Sequence, residues 1–359
     1  NTLSDMEKSS SRKFDLDDCF DQDSEGSAAI RGTCLLMCPA KERERRERLR
    51  DLSIFERFNG NPAKSSPNLA VKKFCRTISK KGLEASDVRP IPVLERTLSY
   101  IISFLHSTDH PFEIIHDFIF DRMRSIRQDL SLQNAFGNQV IHIYERMVKV
   151  HIISSRRLRE SPGNLYAVSM VQLNQEQLFK SLLTLLNLYD AASRASNEFE
   201  FYSYHLLLHL GSNHQEPLSL WFRRVPTRIL KSREMCFARR LLRYYRLGNY
   251  RGFVQTVEEE ASFLQYCIIE PYINEMRKLA LSCICYGGYK LQPYPLLQLS
   301  KLLMMQEDDV ECLCIDRGFD LSLDGSEKGL PSKSKQVQKK ETSEIVTKYY
   351  PLRSERIVR

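Results

Sequence analysis

The sequence predicts a mainly α-helical protein, an α-solenoid of helical repeats closed by a smaller C-terminal unit of mixed structure. Three observations predict it. Amphipathic segments follow one another separated only by short polar joints, the arrangement in which stacked helix pairs bury each other's apolar stripes. No strict period links them, so the repeats are degenerate. Past Gly287-Gly288 the pattern changes to short helical runs and then to alternating, strand-like sequence. Just before that change, the stretch from Phe222 to Phe253, FRRVPTRILKSREMCFARRLLRYYRLGNYRGF, carries ten basic residues (Arg223, Arg224, Arg228, Lys231, Arg233, Arg239, Arg240, Arg243, Arg246, Arg251) against the single acid Glu234.

At 359 residues the chain exceeds what one compact core usually holds. With 42% apolar and 27% charged residues it has the composition of a globular protein. No run of about 20 apolar residues occurs, and the opening NTLSDMEKSS lacks the order of a secretory signal, which points to the cytosol or nucleus and gives no reason to expect a membrane partner. A first residue other than Met suggests a processed or excised chain. The ten cysteines are scattered, which favours reduced thiols over a disulfide frame. The net charge of +8 is unevenly spread. Residues 1–30 hold eight acids against Lys8, Arg12 and Lys13, a net −5, which leaves +13 for the remainder. A field of that sign favours polyanions, of which nucleic acid is the commonest; the alternative is a solvated face of a repeat protein.

In chain order, residues 1–30 form an acidic segment too poor in large apolar residues to fold, so disorder is expected. Residues 31–88 make an N-terminal helical motif and linker. Pro39 suits the first turn of a helix over KERERRERLR, and 59–67 is turn-rich. Cys34 and Cys38 are half of a zinc set with no second pair nearby, and read as packed thiols. Residues 89–286 are the helical repeat body. Arg89-Pro90-Ile91-Pro92 introduces a helix over 93–104. Residues 111–130 form another, with Ile115, Phe118, Ile119, Met123 and Ile126 inward and Asp117, Asp121 and Arg124 spaced for surface ion pairs. Further helices are expected over 140–158, 172–189 and 196–210. His205 and His209 lie four apart but lack a third ligand, and read as buried or capping residues. Trp221 reads as a packing anchor.

The basic stretch itself reads as a helical hairpin, with Phe237, Leu241, Leu242, Tyr245 and Leu247 as the inner stripe and Gly248 closing the first helix. A long helix over 261–286, interrupted at Pro271, follows. Residues 287–350 then offer helices over 296–305 and from Glu307, a strand over 319–323, a basic loop over 324–340 and a strand over 344–350. That order makes a winged helix with a basic wing loop, and 351–359 is a tail.

Several groups of residues resemble the SAC/GANP family, within the PCI architecture of helical repeats that run into a winged helix. The opening motif lies in Gly32, Cys34, Met37, Cys38, Pro39, Glu42 and Arg45, the next in Arg89, Pro90, Val93, Leu94, Thr97 and Tyr100. A central one covers Phe118, Asp121, Arg122, Arg124, Ile126, Arg127 and Asp129, and later matches are Glu198, Phe199, Tyr202, Gly248, Asn249, Tyr250 and Phe253. The resemblance implies a non-enzymatic scaffold of a messenger-RNA export complex. It implies pairing with a second PCI-domain protein, itself supported by a small acidic Sem/DSS-type subunit, and a nuclear, pore-associated setting. Short homologues linked to centrosomes or RNA processing make a cytoplasmic or centrosomal setting the alternative. Phenylalanine-glycine repeats and a long trailing helix for centrin are not found in this chain.

Two functional expectations follow. In the first, Arg223, Arg224, Arg228, Lys231 and Arg233 near the hairpin, with Lys333, Lys335, Lys339 and Lys340 in the wing loop, neutralise phosphates of RNA or DNA with little sequence reading. In the second, the chain is purely a protein-interaction subunit, and Leu313, Ile315, Phe319, Leu321 and Leu323 of the winged helix face the partner. No Gly-rich phosphate loop, GxSxG elbow or metal-ligand cluster is present, so no enzyme, cofactor, metal or small-molecule substrate is expected.

Overall fold

The computed structural model describes residues 29–77, 82–160, 165–192, 196–211, 218–287, 293–316, 319, 321–324, 327–330 and 350. The expected disorder of 1–28, the wing loop beyond Leu330, the strand over 344–349 and the tail lie outside the described residues.

Helix α1 (Ala40–Leu49) starts after Pro39 and is almost wholly polar, so its lock is ionic rather than apolar. Helices α2 (Ile91–Ser103) and α3 (Phe112–Leu132) follow the expected runs, and α2 tolerates Pro92 because it sits in the first turn, where its missing N–H has no intrahelical partner to lose. All five residues expected on the inner face of α3 are buried. Helices α4 (Asn138–Arg159) and α5 (Leu165–Ala191) pack along their length, and α6 (Glu198–Leu208) crosses onto α5 and α4's other neighbours. Two short helices, α7 (Leu218–Arg224) and α8 (Thr227–Leu230), lead into the hairpin of α9 (Arg233–Arg246) and α10 (Tyr250–Glu260). Helix α11 (Phe263–Gly287) continues through Pro271 without a break. The expected interruption there is thus corrected. One apolar core, from Met37 to Met276, runs through these elements.

A second core, from Ala280 to Tyr350, belongs to the C-terminal end. Strand β1 (Tyr294–Pro295) precedes α12 (Leu296–Leu303) and α13 (Glu307–Asp316), and β2 (Ser322–Asp324) and β3 (Glu327–Leu330) close the unit. The sheet is antiparallel in the order β1-β3-β2, with Tyr294 opposite Leu330 and Ser322 opposite Gly329. The sequence reading placed a loop from residue 324. The chain instead turns back within a few residues, so β3 occupies the start of that loop.

A buried arginine holds the two cores together. Arg277 of α11 is fully buried and donates from Nε to the Leu303 carbonyl (3.2 Å), from Nη1 to that of Tyr350 (2.8 Å) and from Nη2 to that of Met304 (3.3 Å). Leu303 and Met304 end α12, where exposed carbonyls concentrate partial negative charge, so a cation fits there. Burial pushes this guanidinium down to about 10. Tyr350 is clamped a second time, its hydroxyl donating to Asp316 (2.6 Å).

At the other end, residues 29–77 form a strap fastened by buried ions. Glu56 accepts from Arg46 Nη1 (3.0 Å), Arg122 Nη2 (2.8 Å) and the Val71 amide (2.9 Å). Asp129, wholly buried, accepts from Lys72 Nζ (2.6 Å) and Arg89 Nε (2.7 Å). Burial alone would raise the Glu56 carboxyl, but Arg122 and Arg46 hold it below the ordinary 4.5. Of the residues expected in surface ion pairs on α3, Asp121 pairs with its buried neighbour Arg122, and Arg124 lies over the Phe74 ring at 3.8 Å. Gly32 is required here because a Cβ would stand 2.7 Å from the Val88 carbonyl oxygen. Cys34 and Cys38 are buried free thiols, raised by burial, in Cys38 to about 12.

Candidate nucleic-acid interface

Helix α9 exists because of its ends as much as its stripe. Ser232 caps it by accepting from the Met235 amide (3.2 Å). At its far end Gly248 takes φ +64°, its amide donates to the Tyr245 carbonyl (3.1 Å), and the Asn249 amide reaches the Tyr244 carbonyl (2.9 Å). This is the Schellman closure, which needs a residue without a Cβ penalty at Gly248. Asn249 then caps α10 by accepting from the Gly252 amide (2.9 Å). Gly248 and Asn249 of the GNY turn thus each have a structural task.

The inner face of α9 is Met235, Phe237, Ala238, Leu241 and Leu242. Leu247, expected on that stripe, is 69% exposed. The left-handed turn at Gly248 carries the chain away before Leu247 can point inward, which leaves an apolar tip among arginines.

The five hairpin candidates from the sequence, Arg223, Arg224, Arg228, Lys231 and Arg233, are all exposed and come from α7, α8 and the start of α9. Arg228 is partly occupied, because it pairs with the buried Glu198 at the start of α6. Further along α9, Arg239 lies 6.0 Å from the Phe222 ring and Arg240 pairs with Glu260 at 2.7 Å. That pair shows how charge is distributed on the hairpin. Antiparallel α10 brings its acidic end back to the middle of α9, where Glu260 meets Arg240. Its first turn carries Arg251, and the last turn of α9 carries Arg243 and Arg246, so the three flank the Gly248-Asn249 joint. Arg243, Arg246 and Arg251 are exposed and make no ion pair among the described residues. The nearby Glu275 accepts from the Tyr245 hydroxyl (2.6 Å).

The turn end of the hairpin is therefore its most positive part, and it adjoins the C-terminal unit. Tyr250 is half-buried against both cores, and α10 touches α12. Sequence reasoning counted Arg243, Arg246 and Arg251 in the basic stretch but did not single them out. Which arginines the acids of α10 would reach depends on how the hairpin folds back.

Of the apolar residues expected at a partner interface, Leu313 and Phe319 are buried in the C-terminal core and Leu321 is half-buried against it. Those three side chains fill the unit rather than its surface: α13 packs on α12, and Phe319 and Leu321 join the same core from the chain that follows. Ile315 is 53% exposed. The Leu323 side chain and Lys333, Lys335, Lys339 and Lys340 lie outside the described residues.

His209 follows the last turn of α6, its Nδ1 2.5 Å from the His205 carbonyl oxygen, and His205 stacks on Trp221 at 4.6 Å. The histidine pair and Trp221 thus join α6 to α7. Among the described residues no group of three His, Cys, Asp or Glu is placed to hold a metal ion, and no helix is long and apolar enough to cross a membrane.

A family model described as the SAC3/GANP family matches residues 37–322. The chain is 34% identical over 317 residues to SAC3 family protein B of Arabidopsis thaliana, which covers 84% of this chain and 18% of that protein. It is 32% identical to SAC3 family protein 1 of Schizosaccharomyces pombe, covering 70% of this chain and 26% of that one. Against Protein xmas of Drosophila melanogaster the identity is 26%, over 71% of this chain and 13% of that protein. The chain thus spans about a quarter or less of the length of these curated relatives.

Proposed function

The chain belongs to the SAC3/GANP family, and from that premise we propose that it is a non-enzymatic scaffold subunit of a messenger-RNA export or processing complex in the nucleus. Its basic surface takes nucleic acid, and its C-terminal end pairs with a second PCI-domain protein that carries a small acidic Sem/DSS-type subunit. The single observation that carries the reading is the unpaired arginine cluster Arg243, Arg246 and Arg251 at the turn end of the hairpin, beside the C-terminal unit. We read that unit, residues 287–350, as a winged helix: two short helices followed by a β2–β3 hairpin, with β1 on the other side of β3, support it. The helical body over 89–286 then serves as its support, and Arg277 fixes the angle between them.

The mechanism is phosphate neutralisation. Guanidinium groups on a fixed helical surface displace counterions from a single strand without reading its bases. Lys333, Lys335, Lys339 and Lys340 of the expected wing loop are further candidates for phosphate contact. Measured by fluorescence anisotropy on a labelled single-stranded RNA at low salt, R243E/R246E/R251E should weaken binding more than tenfold while the circular dichroism spectrum is unchanged. Equal affinity of the variant and the parent chain removes the turn end from the interface.

A second reading, a subunit that only binds proteins, is supported by Ile315 (53% exposed) and Leu297 (49% exposed) on the C-terminal unit. If the purified chain binds no RNA at low salt until a PCI partner is added, this reading replaces the first.

A further inference from the structure

The part of the basic surface nearest the start of the described chain has a different character from the turn end. Arg223, Lys231 and Arg233 are all exposed, and directly before Arg223 in α7 stand Leu220 (43% exposed) and the half-buried Trp221 and Phe222, with Arg239 of α9 6.0 Å from the Phe222 ring. Arg223, Lys231 and Arg233 make no ion pair among the described residues. A cationic surface with apolar side chains between the charges fits an acidic segment whose own apolar residues are similarly interleaved. The chain contains one. Residues 14–25, FDLDDCFDQDSE, hold Asp15, Asp17, Asp18, Asp21, Asp23 and Glu25 with no basic residue, and Phe14, Leu16 and Phe20 alternate with them.

The path between the two is short. The Ile30 amide donates to the Leu132 carbonyl (3.3 Å), which places the start of the described chain at the end of α3. Gly137 turns directly into α4, where Glu145 accepts from Asn197, the residue before α6 (3.1 Å). The next residue, Glu198, pairs with Arg228 of α8. From Asn138 to Glu145 is about 10 Å along a helix, so the basic cluster lies on the order of 30 Å from Ile30. An extended chain covers about 3.3 Å per residue, so residues 14–25 can span on the order of 40 Å and the stretch to Ile30 adds about 15 Å. Residues 14–21 therefore reach the cluster, while Asp23 and Glu25 stay nearer Ile30.

We propose that residues 14–21 dock on the α7–α8 face as an internal polyanion, Phe14, Leu16 and Phe20 meeting Leu220, Trp221 and Phe222 while Asp15, Asp17, Asp18 and Asp21 meet Arg223, Lys231 and Arg233. Docked there, the segment competes with nucleic acid for half of the basic surface. The competition rests on the function proposed above; the docking does not. A tethered segment works at a local concentration near millimolar, so even a weak contact, with a dissociation constant of about 0.1 mM, keeps about nine-tenths of the chains closed and lowers apparent affinity for a competitor about tenfold.

The docking is tested first without nucleic acid. Cys19 lies in the middle of the segment and Cys236 is exposed in the first turn of α9. A short bis-maleimide on the full chain should join Cys19 to Cys236 in preference to the exposed Cys75, Cys283 and Cys312, as read by mass spectrometry. D15N/D17N/D18N/D21N/D23N/E25Q and, separately, R223E/K231E/R233E should each reduce that product more than fivefold. Absence of the product, or a yield indifferent to both sets, overturns the proposal. The competition is tested by RNA anisotropy, where both the neutralised chain and F14S/L16S/F20S should bind about tenfold more tightly than the parent. F14S/L16S/F20S keeps every charge, so tightening by the neutralised chain alone means long-range repulsion without docking, and overturns the competition. A chain that gives the Cys19–Cys236 product yet binds no RNA supports the docking and defeats the nucleic-acid reading instead.

Discussion

Arg46, Arg89 and Arg122 at one end of the helical body, and Arg243, Arg246 and Arg251 at the other, are the same side chain in opposite settings. The first three are buried, and each meets a carboxylate: Glu56 for Arg46 and Arg122, Asp129 for Arg89. The last three are exposed and unpaired among the described residues. Water decides the difference. A guanidinium taken out of water must have its charge and donors met within the protein, so the strap arginines are committed to structure. An exposed one keeps its hydration, can exchange it for phosphate oxygens, and adds little to stability. Several of the most recognisable family residues, Arg89, Arg122 and Asp129, fall in the first group. What marks the family at that end is a fastening.

That contrast can be broken at either end. The largest effect expected of a single substitution is at the strap: Asp129→Ala leaves Arg89 and Lys72 buried without their carboxylate and should destabilise the fold by about 3–5 kcal/mol, seen as a lower urea midpoint. The same substitution should leave RNA affinity of the folded fraction unchanged.

A loss of at least that size is expected on acidification, from two buried histidines. His116 Nε2 and His151 Nδ1 both approach Asn174 Oδ1, at 3.2 and 2.7 Å, and their other ring nitrogens have no partner. Burial lowers His116 to about 4 and His151 to about 3 from the ordinary 6.5. The unfolded chain therefore takes up protons that the folded chain refuses. Stability is complete above pH 6.5 and falls as the pH drops through the window down to about 4, with a limiting slope of about 2.7 kcal/mol per pH unit for two protons. Urea midpoints across that window should fall for the parent chain. They should flatten in H116Q/H151Q, even though that variant starts from a lower midpoint. The depressed Glu56 carboxyl adds a further loss only below about pH 4.5.

The smallest structural effect belongs to the turn that presents the exposed arginines. Gly248→Ala puts a Cβ on a left-handed residue, 3.2 Å from Leu279 Cδ2. A cost of about 1–2 kcal/mol is expected in thermal unfolding, with a modest loss of RNA affinity as Arg246 and Arg251 lose their fixed spacing.

Much of the helical body was legible because it is written in local signals. The proline pair before α2, the inner stripe of α3 and the glycine ending α9 each act within a turn or two of chain. The ionic fastenings were not legible. Glu56 ends a single 3₁₀ turn capped by Ser53, a local signal that says nothing of its partner Arg122, 66 residues away. Distance in sequence also hid which arginines of the basic stretch remain exposed without a partner, since Glu260 reaches back 20 residues to Arg240. Leu247 misled because a helical stripe extrapolates past the point where the helix ends. Strand β1 is two residues long, too short to alternate, and exists only because β3 pairs with it.

The central claim is that the turn-end arginines exchange water for phosphate. The direct measurement is the salt dependence of single-stranded RNA binding, as the slope of log K against log salt for the parent chain and R243E/R246E/R251E. Each lost phosphate contact on a single strand should reduce the slope by about 0.7, so a difference of about 2 is expected. Parallel lines, whatever their offset, would mean that these three side chains never touch the phosphates, and the account would be contradicted.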